Sequence, residues 1–331
     1  MKFCVTIPGL TLFQGHAGAP DWSRDITSAQ IVQIARRADT LGFSYLAVPW
    51  HVAMAAGEPA ANFGRRWPHT FSAAGFLLGA TERIKLLTLT VVPCEQPLHM
   101  AKAYATLDWI SGGRTLPVLL AGYLEWEFRL LGVRLEDRGA IMDEYVEAML
   151  ELWSAENANF DGSFVRFDGV VFEPKPHQAP LPLWFGGRTR AALRRIARHG
   201  SGWQSYATPF AEMRSTIEYI RSRPEFLERP RPLEVLAYFV EATHDPVTHA
   251  QVRERQIVTG NDAVLEQLHH LASIGVDTTT APLDAMAGPG GRRSPIGSAA
   301  EYLERLEWLA EEILPEAGGI TSVFAEPLRE G

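Results

Sequence analysis

Cysteine is scarce in this chain of 331 residues: there are two, Cys4 and Cys94. Neither belongs to a CxxC or other metal-type spacing, and each lies in or beside an apolar strand segment. A disulfide framework is therefore excluded, and reduced, buried thiols in a cytoplasmic protein are expected. Long hydrophobic runs are also lacking. No stretch approaches the roughly 18 apolar residues of a membrane span, so no membrane role is expected. The start, Met1-Lys2-Phe3, enters a strand directly, with no sign of a signal peptide. Positive charge is not in excess: 31 Lys and Arg against 39 Asp and Glu leave a net charge of −8. That gives nucleic-acid binding no support, and Arg194-Arg195 and Arg292-Arg293 read as solvated faces. The glycine-rich loops hold neither a GxGxxG nor a GxxxxGK[ST] pattern, which excludes the dinucleotide fingerprint and the P-loop. His269-His270 sits in a helical pattern with no other ligand type at i+4, so no metal is expected.

What is present is alternation of buried strands and amphipathic helices. Residues 83–138 are the centre of it. The run Ile84 to Val92 is apolar and β-branched, as a strand buried on both faces should be. Pro97 opens a helix without losing a needed N–H. Met100, Ala103, Leu107 and Ile110 form its inner stripe, and Ser111-Gly112-Gly113 ends it. A second buried strand covers 114–120, which completes a βαβ unit. Upstream, strands are expected over 3–7 and 45–48 and helices over 28–40 and 70–81. Thr27 or Ser28 is the cap of the first helix. Downstream, helices are expected over 124–131 and 137–153, and a small hairpin over 160–172. Strands at 182–185, 202–206, 233–240 and 276–281 then alternate with helices at 190–199, 210–221, 262–273 and 299–314. About eight strands in this order favour a (β/α)8 TIM barrel over an open doubly wound sheet. The expected organisation is one domain, 1–331, with insertions near 53–67, 154–181 and 284–298. Pro117 inside a buried strand removes a ladder hydrogen bond, so a bulge is expected there.

The ordered set Pro97-Leu98-His99-Met100-Ala101-Lys102, Ala105-Thr106-Leu107-Asp108 and Ser111-Gly112-Gly113-Arg114 resembles the central signature of the bacterial luciferase-like flavin and deazaflavin oxidoreductases. Gly122-Tyr123, Glu127-Phe128, Leu131-Gly132-Val133, Arg138 and Asp143-Glu144-Tyr145 continue it in order. The match is nearest the branch usually assigned to coenzyme F420. The resemblance implies a barrel, a ring cofactor at its mouth, and a homodimer.

Barrels place their chemistry at the C-terminal ends of strands, which selects three places. Pro49-Trp50-His51 leaves strand two, and an imidazole there could meet the reacting edge of a ring or relay a proton. In the resembling enzymes this His commonly follows an Asp. Trp50 replaces it here, so the expected partner of His51 is missing from its sequence neighbour. Thr88, Leu89 and Thr90 end strand three, where the resemblance implies a non-proline cis peptide against the ring. Ala121, Gly122 and Tyr123 end strand four, with Gly122 allowing a close backbone approach. Phe185, Gly186, Gly187 and Arg188 end strand five and open a helix, a plausible phosphate cradle. Trp50, Phe63, Trp67 and Trp126 are candidate walls of a substrate pocket. Lys102, Asp108 and Arg114 are expected to form structural ion pairs, and Glu127, Arg138 and Glu144 to anchor helices and loops.

The expected function is an oxidoreductase that exchanges hydride between F420 and a small organic substrate, with His51 at the reacting centre. The alternatives are a monooxygenase that receives reduced FMN from a partner reductase, and a non-catalytic flavin-binding relative. An F420 or flavin reductase is thus a possible partner.

Overall fold

The computed structural model describes residues 1–10, 21–56, 66–205, 207–228, 232–244, 251–253, 260–283 and 296–325. Eight parallel strands close on themselves. They are β1 (Lys2–Thr6), β2 (Tyr45–Val48), β3 (Lys85–Val91), β4 (Thr115–Leu120), β7 (Leu183–Gly186), β8 (Gly200–Gln204), β9 (Glu234–Ala237) and β12 (Thr278–Thr280), in that order around the ring. Phe3 pairs with Thr279, which joins the last strand to the first. This is the expected (β/α)8 barrel.

Local chemistry sets the helix starts. In α1 (Ser28–Thr40), Thr27 is the cap: its side chain and that of Gln30 bond reciprocally to the first-turn backbone. His69 caps α2 (Thr70–Ala80) by accepting from Ser72 N–H. Pro97 occupies the first turn of α3 (Pro97–Ser111), and Gly112 closes it at φ 67°. Two helices follow β4: α4 (Glu125–Leu130) and α5 (Arg138–Ser154). A hairpin, β5 (Ala158–Asp161) and β6 (Arg166–Val170), then precedes β7. Its turn is held by Glu144 on α5, which accepts N–H groups of Ser163, Phe164 and Val165 at 2.8, 2.6 and 2.7 Å. The second half continues with α6 (Arg190–His199), α7 (Phe210–Arg221), α8 (Pro224–Leu227), α9 (Asn261–Ser273), α10 (Ala299–Glu312) and α11 (Leu314–Ala317). A two-stranded antiparallel ribbon, β10 (Ala242–His244) with β11 (Gln251–Arg253), follows β9 and was not foreseen in the sequence.

Pleating divides the core in two. Cys4, Tyr45, Leu87, Leu116, Val118, Trp184 and Leu236 point inward and fill the barrel. The alternate positions pack on the helix layer. The N-terminal end is plugged by polar groups. Glu234 accepts from Lys2 Nζ at 2.7 Å, Tyr45 Oη at 2.8 Å and Thr278 Oγ1 at 2.5 Å. Burial and the neighbouring Glu234 push the Tyr45 phenol far up, so it stays a donor.

Three expectations are corrected. No bulge occurs at Pro117: the β3–β4 register is unbroken from Leu86↔Thr115 to Val91↔Leu120. Leu86 N–H reaches Arg114 O, so alternation turns the position of the missing amide at 117 towards β7, whose pairing begins only at Val118. The proline thus sits just beyond that ladder. No cis peptide occurs at residues 88–90; among the described residues the cis bonds are Glu173–Pro174 and Ala179–Pro180. Lys102, Asp108 and Arg114 are structural but do not pair with one another. Asp108 holds Gln178 through its N–H and its amide, both at 2.8 Å. Arg114 bonds Thr81 Oγ1 and Leu78 O, and Lys102 bonds Glu173 O. Arg138 bonds Leu135 O and anchors the turn ahead of α5.

Candidate functional site

Strands β2, β3, β4 and β7 are consecutive neighbours in the ring. The segments singled out in the sequence therefore leave the barrel along one continuous arc of its C-terminal rim. Along β3 the side chains alternate, and that alternation sorts the candidates. Leu89 points inward with Leu120 of β4. Thr88 and Thr90 are fully buried on the other face. Thr90 Oγ1 shares a hydrogen bond with Tyr104 Oη at 2.6 Å, and Tyr104 donates to Thr88 O at 3.0 Å. The Thr90 side chain belongs to the β3–α3 contact, the Thr88 hydroxyl bonds Leu86 O and Leu116 O within the sheet, and Leu89 is the side chain of this segment turned to the barrel interior. The same pleat turns Phe185 of β7 and Ala121 outward, onto the helix-layer core.

Gly122 has φ 76°, a conformation favoured by glycine. A Cβ there would lie 2.6 Å from Phe128 and 2.6 Å from Val91. The close approach expected of a ring is thus made by the protein itself. Phe128, Val91 and Trp50 form a small core under the rim, bordered by Leu89 and Leu120. Trp50 is 5% exposed, which corrects its expected place as an open pocket wall. Its indole N–H donates to Glu95 Oε1 at 2.7 Å.

His51 follows on the rim, and its partner is Glu127 from α4. His51 Nδ1 lies 3.0 Å from Glu127 Oε2, and Glu127 Oε1 accepts Val52 N–H at 2.9 Å. The imidazole is 12% exposed and the carboxylate 3%. Glu127 anchors the loop through Val52, as expected, and also partners His51: the carboxylate missing at position 50 comes from the helix after β4. β2 and β4 flank β3, so their C-terminal loops converge above it. The Glu-Phe pair downstream of Gly122 was the available signal, and no local spacing links it to His51. Trp67 meets the imidazole edge-on, with ring centroids 4.5 Å apart. Glu127 and Glu95 also surround the Cys94 thiol, which burial first and these charges second push up to about 12. Cys94 therefore stays protonated and is not a nucleophile.

Further along the arc, Gly186 ends β7, and Gly187 turns the chain with φ 106°. Thr189 caps α6, accepting from Ala192 N–H at 3.2 Å, and the first turn of α6 has no acidic residue. Trp203 Nε1 donates to Gly187 O at 2.9 Å and holds the turn in place. Arg188 is exposed beside it. Positive helix end, turn and guanidinium suit an anion. Tyr123 and Trp126 are partly exposed next to this rim, and Trp126 Nε1 is buried with no hydrogen-bond partner. Phe63 lies outside the described residues. Among the described residues there is no cluster of metal-ligating side chains and no helix long and apolar enough to cross a membrane.

A family model described as luciferase-like monooxygenase matches residues 1–307. The chain belongs to the luciferase-like monooxygenase family. It is 32% identical over 186 residues to the FMNH(2)-dependent dimethylsulfone monooxygenase of Pseudomonas putida, a match covering 55% of this chain and 48% of that one. This luciferase-like chain spans about half the length of such curated relatives. Its fold is similar to that of the monooxygenase RslO1 from Streptomyces bottropensis, with a TM-score of 0.70, 21% identity and 96% and 99% of the two chains covered. It is also similar to the coenzyme F420 dependent tetrahydromethanopterin reductase of Methanopyrus kandleri, with a TM-score of 0.64, 16% identity and 95% and 99% covered. These likenesses establish the luciferase-like barrel and leave the choice of cofactor to the site.

Proposed function

We propose that this luciferase-like protein is an oxidoreductase that exchanges hydride between coenzyme F420 and a small organic substrate. The observation that carries the reading is the imidazole–carboxylate pair of His51 and Glu127, enclosed on the rim above an apolar floor. Hydride removal from a carbon bearing a hydroxyl leaves a proton to be taken, and a histidine held by a carboxylate takes it at neutral pH.

The residues present fit such a cofactor. Leu89 and Leu120 offer an apolar surface for a planar ring, Gly187, Arg188 and the start of α6 an anion cradle, and Trp126 an unpartnered N–H. When bound, the deazaflavin accepts or donates the hydride. The chain's own groups do the rest. His51 would face the reacting edge and move the proton. Trp50, Val91 and Phe128 keep water from the floor. Gly187, Arg188 and the start of α6 would hold the phosphate end.

A second reading, a monooxygenase supplied with reduced FMN by a partner reductase, is favoured by the 32% identity to an FMNH(2)-dependent enzyme. Titrating the purified protein with F420 and with FMN, while following tryptophan fluorescence, separates the two. Quenching by F420 but not FMN supports the first. A yellow protein that binds only FMN supports the second, and binding of neither ends both.

A further inference from the structure

The N-terminal end of the barrel, opposite the rim, holds a cavity of about 370 Å³. It lies at the starts of β1, β2 and β3, beside the end of α1. Lys2, Arg83 and Lys85 line it, against one lining carboxylate, Asp39. That carboxylate is already engaged. Asp39 is 6% exposed, and its oxygens accept the N–H groups of Glu82, Arg83 and Ile84 at 2.6, 3.0 and 2.7 Å. The Glu82 side chain is exposed and does not line the cavity.

The three cations differ in what balances them. Lys2 donates to Glu234 Oε2 at 2.7 Å. Arg83 donates from Nη2 to the carbonyls of Asp39 and Thr40 at 2.9 and 3.4 Å, which anchors its guanidinium at the end of α1 and leaves its other nitrogens available. Among the described residues no group meets the Lys85 ammonium or the Ser44 hydroxyl. Ser44 lines the same cavity, and its backbone is committed on both sides: N–H to Phe3 O, and carbonyl to Lys85 N–H. The cavity thus presents donors without acceptors. Arg83 and Lys85 carry like charges into one concave space. A ligand that only accepts hydrogen bonds and is negatively charged relieves their repulsion.

We propose that this cavity binds a phosphate group, free or on a small ester, between Lys85, Arg83 and Ser44. A tetrahedral oxyanion turns acceptor oxygens in several directions, which suits three donors carried by two chain segments. The N-terminal face of such a barrel serves stability. The ligand therefore acts on the fold, tying the starts of β2 and β3 to the end of α1. The site is separate from the rim and does not depend on which cofactor the rim takes.

The test uses the full chain carrying Arg188→Ala, so that the rim turn supplies no second anion site. Inorganic phosphate, glycerol phosphate and chloride are titrated by calorimetry at constant ionic strength, and Tm is followed in parallel. Phosphate should bind at one site and raise Tm. Adding Lys85→Gln should weaken binding by roughly 10-fold or more, as loss of a charge-assisted contact does, and remove the rise in Tm. Ser44→Ala should weaken it by roughly 3–10-fold. The Lys85 side chain is exposed and without a partner, so the Tm of its variant without phosphate should equal that of the parent. Tighter binding of glycerol phosphate than of phosphate identifies an ester as the ligand, and equal or weaker binding identifies the free ion. The proposal is overturned if millimolar phosphate gives neither heat nor a Tm shift, or if chloride matches phosphate. Phosphate binding that survives both Lys85→Gln and Ser44→Ala unchanged overturns it as well.

Discussion

Gly122→Ala tests whether the space at the end of β4 belongs to the protein or to a ligand. Two terms add. At φ 76° a side chain sits in the left-handed region, which is unfavourable by roughly 1–2 kcal/mol for alanine. The new Cβ also falls 2.6 Å from Phe128 and 2.6 Å from Val91, about 1 Å inside ordinary carbon contact. Phe128 is 1% exposed and Val91 6%, so neither can swing into solvent, and overpacking of this kind is unfavourable by about 1–3 kcal/mol. Together the variant should lose roughly 2–5 kcal/mol, seen in thermal unfolding of the cofactor-free protein as a Tm lowered by roughly 3–7 °C. Phe128→Leu in the same chain should relieve part of the clash, giving a favourable coupling in a double-mutant cycle. The reasoning fails if Gly122→Ala unfolds at the wild-type temperature and loses only cofactor affinity. That result would mean the glycine is kept for a ligand.

Three further tests address other parts of the molecule. Burial first pushes the Asp277 carboxyl up to about 6, against the opposing hydrogen bond from Val235 N–H. A raised folded value means stability that is complete below the ordinary carboxylate range and is lost as pH climbs through about 6. Asp277→Asn, which keeps an acceptor for Val235, should therefore be more stable than the wild type by about 1–2 kcal/mol at pH 8 and equal to it near pH 3, measured by urea unfolding. A stability gain confined to low pH would contradict this. Glu144→Ala leaves three N–H groups of the β5–β6 turn without their acceptor. It should speed amide exchange and proteolysis at residues 162–165 with little change in Tm, and a uniformly protected turn would refute the anchoring role. Arg188→Ala should weaken F420 or FMN binding by roughly 10–100-fold in the fluorescence titration, the worth of a charge-assisted contact; unchanged affinity would move the phosphate away from the β7–α6 turn.

Much of the fold was legible because its signals are local. Apolar, β-branched runs mark buried strands, and Thr27, Pro97 and Gly112 mark helix ends through bonds and dihedrals that span a few residues. Strand and helix alternation then leaves few topologies, and the barrel is one of them. The ribbon β10–β11 was missed because its three-residue strands carry no periodicity to detect.

The candidate site divides differently. The sequence by itself determined that His51, Leu89, Gly122 and Gly187 stand at strand ends, because order along the chain and the period of two are encoded residue by residue. It did not determine which faces they present. Thr90 turns to Tyr104, and Thr88 also lies outside the barrel interior, because ring closure commits Leu87 and Leu89 to the inside. Nor did it determine that Glu127, 76 residues from His51, supplies its carboxylate. That contact arises from the curvature of three adjacent strands, which brings the loops of the outer two together above the middle one. No preference of any single residue contains that curvature, so only the closed tertiary structure could decide it.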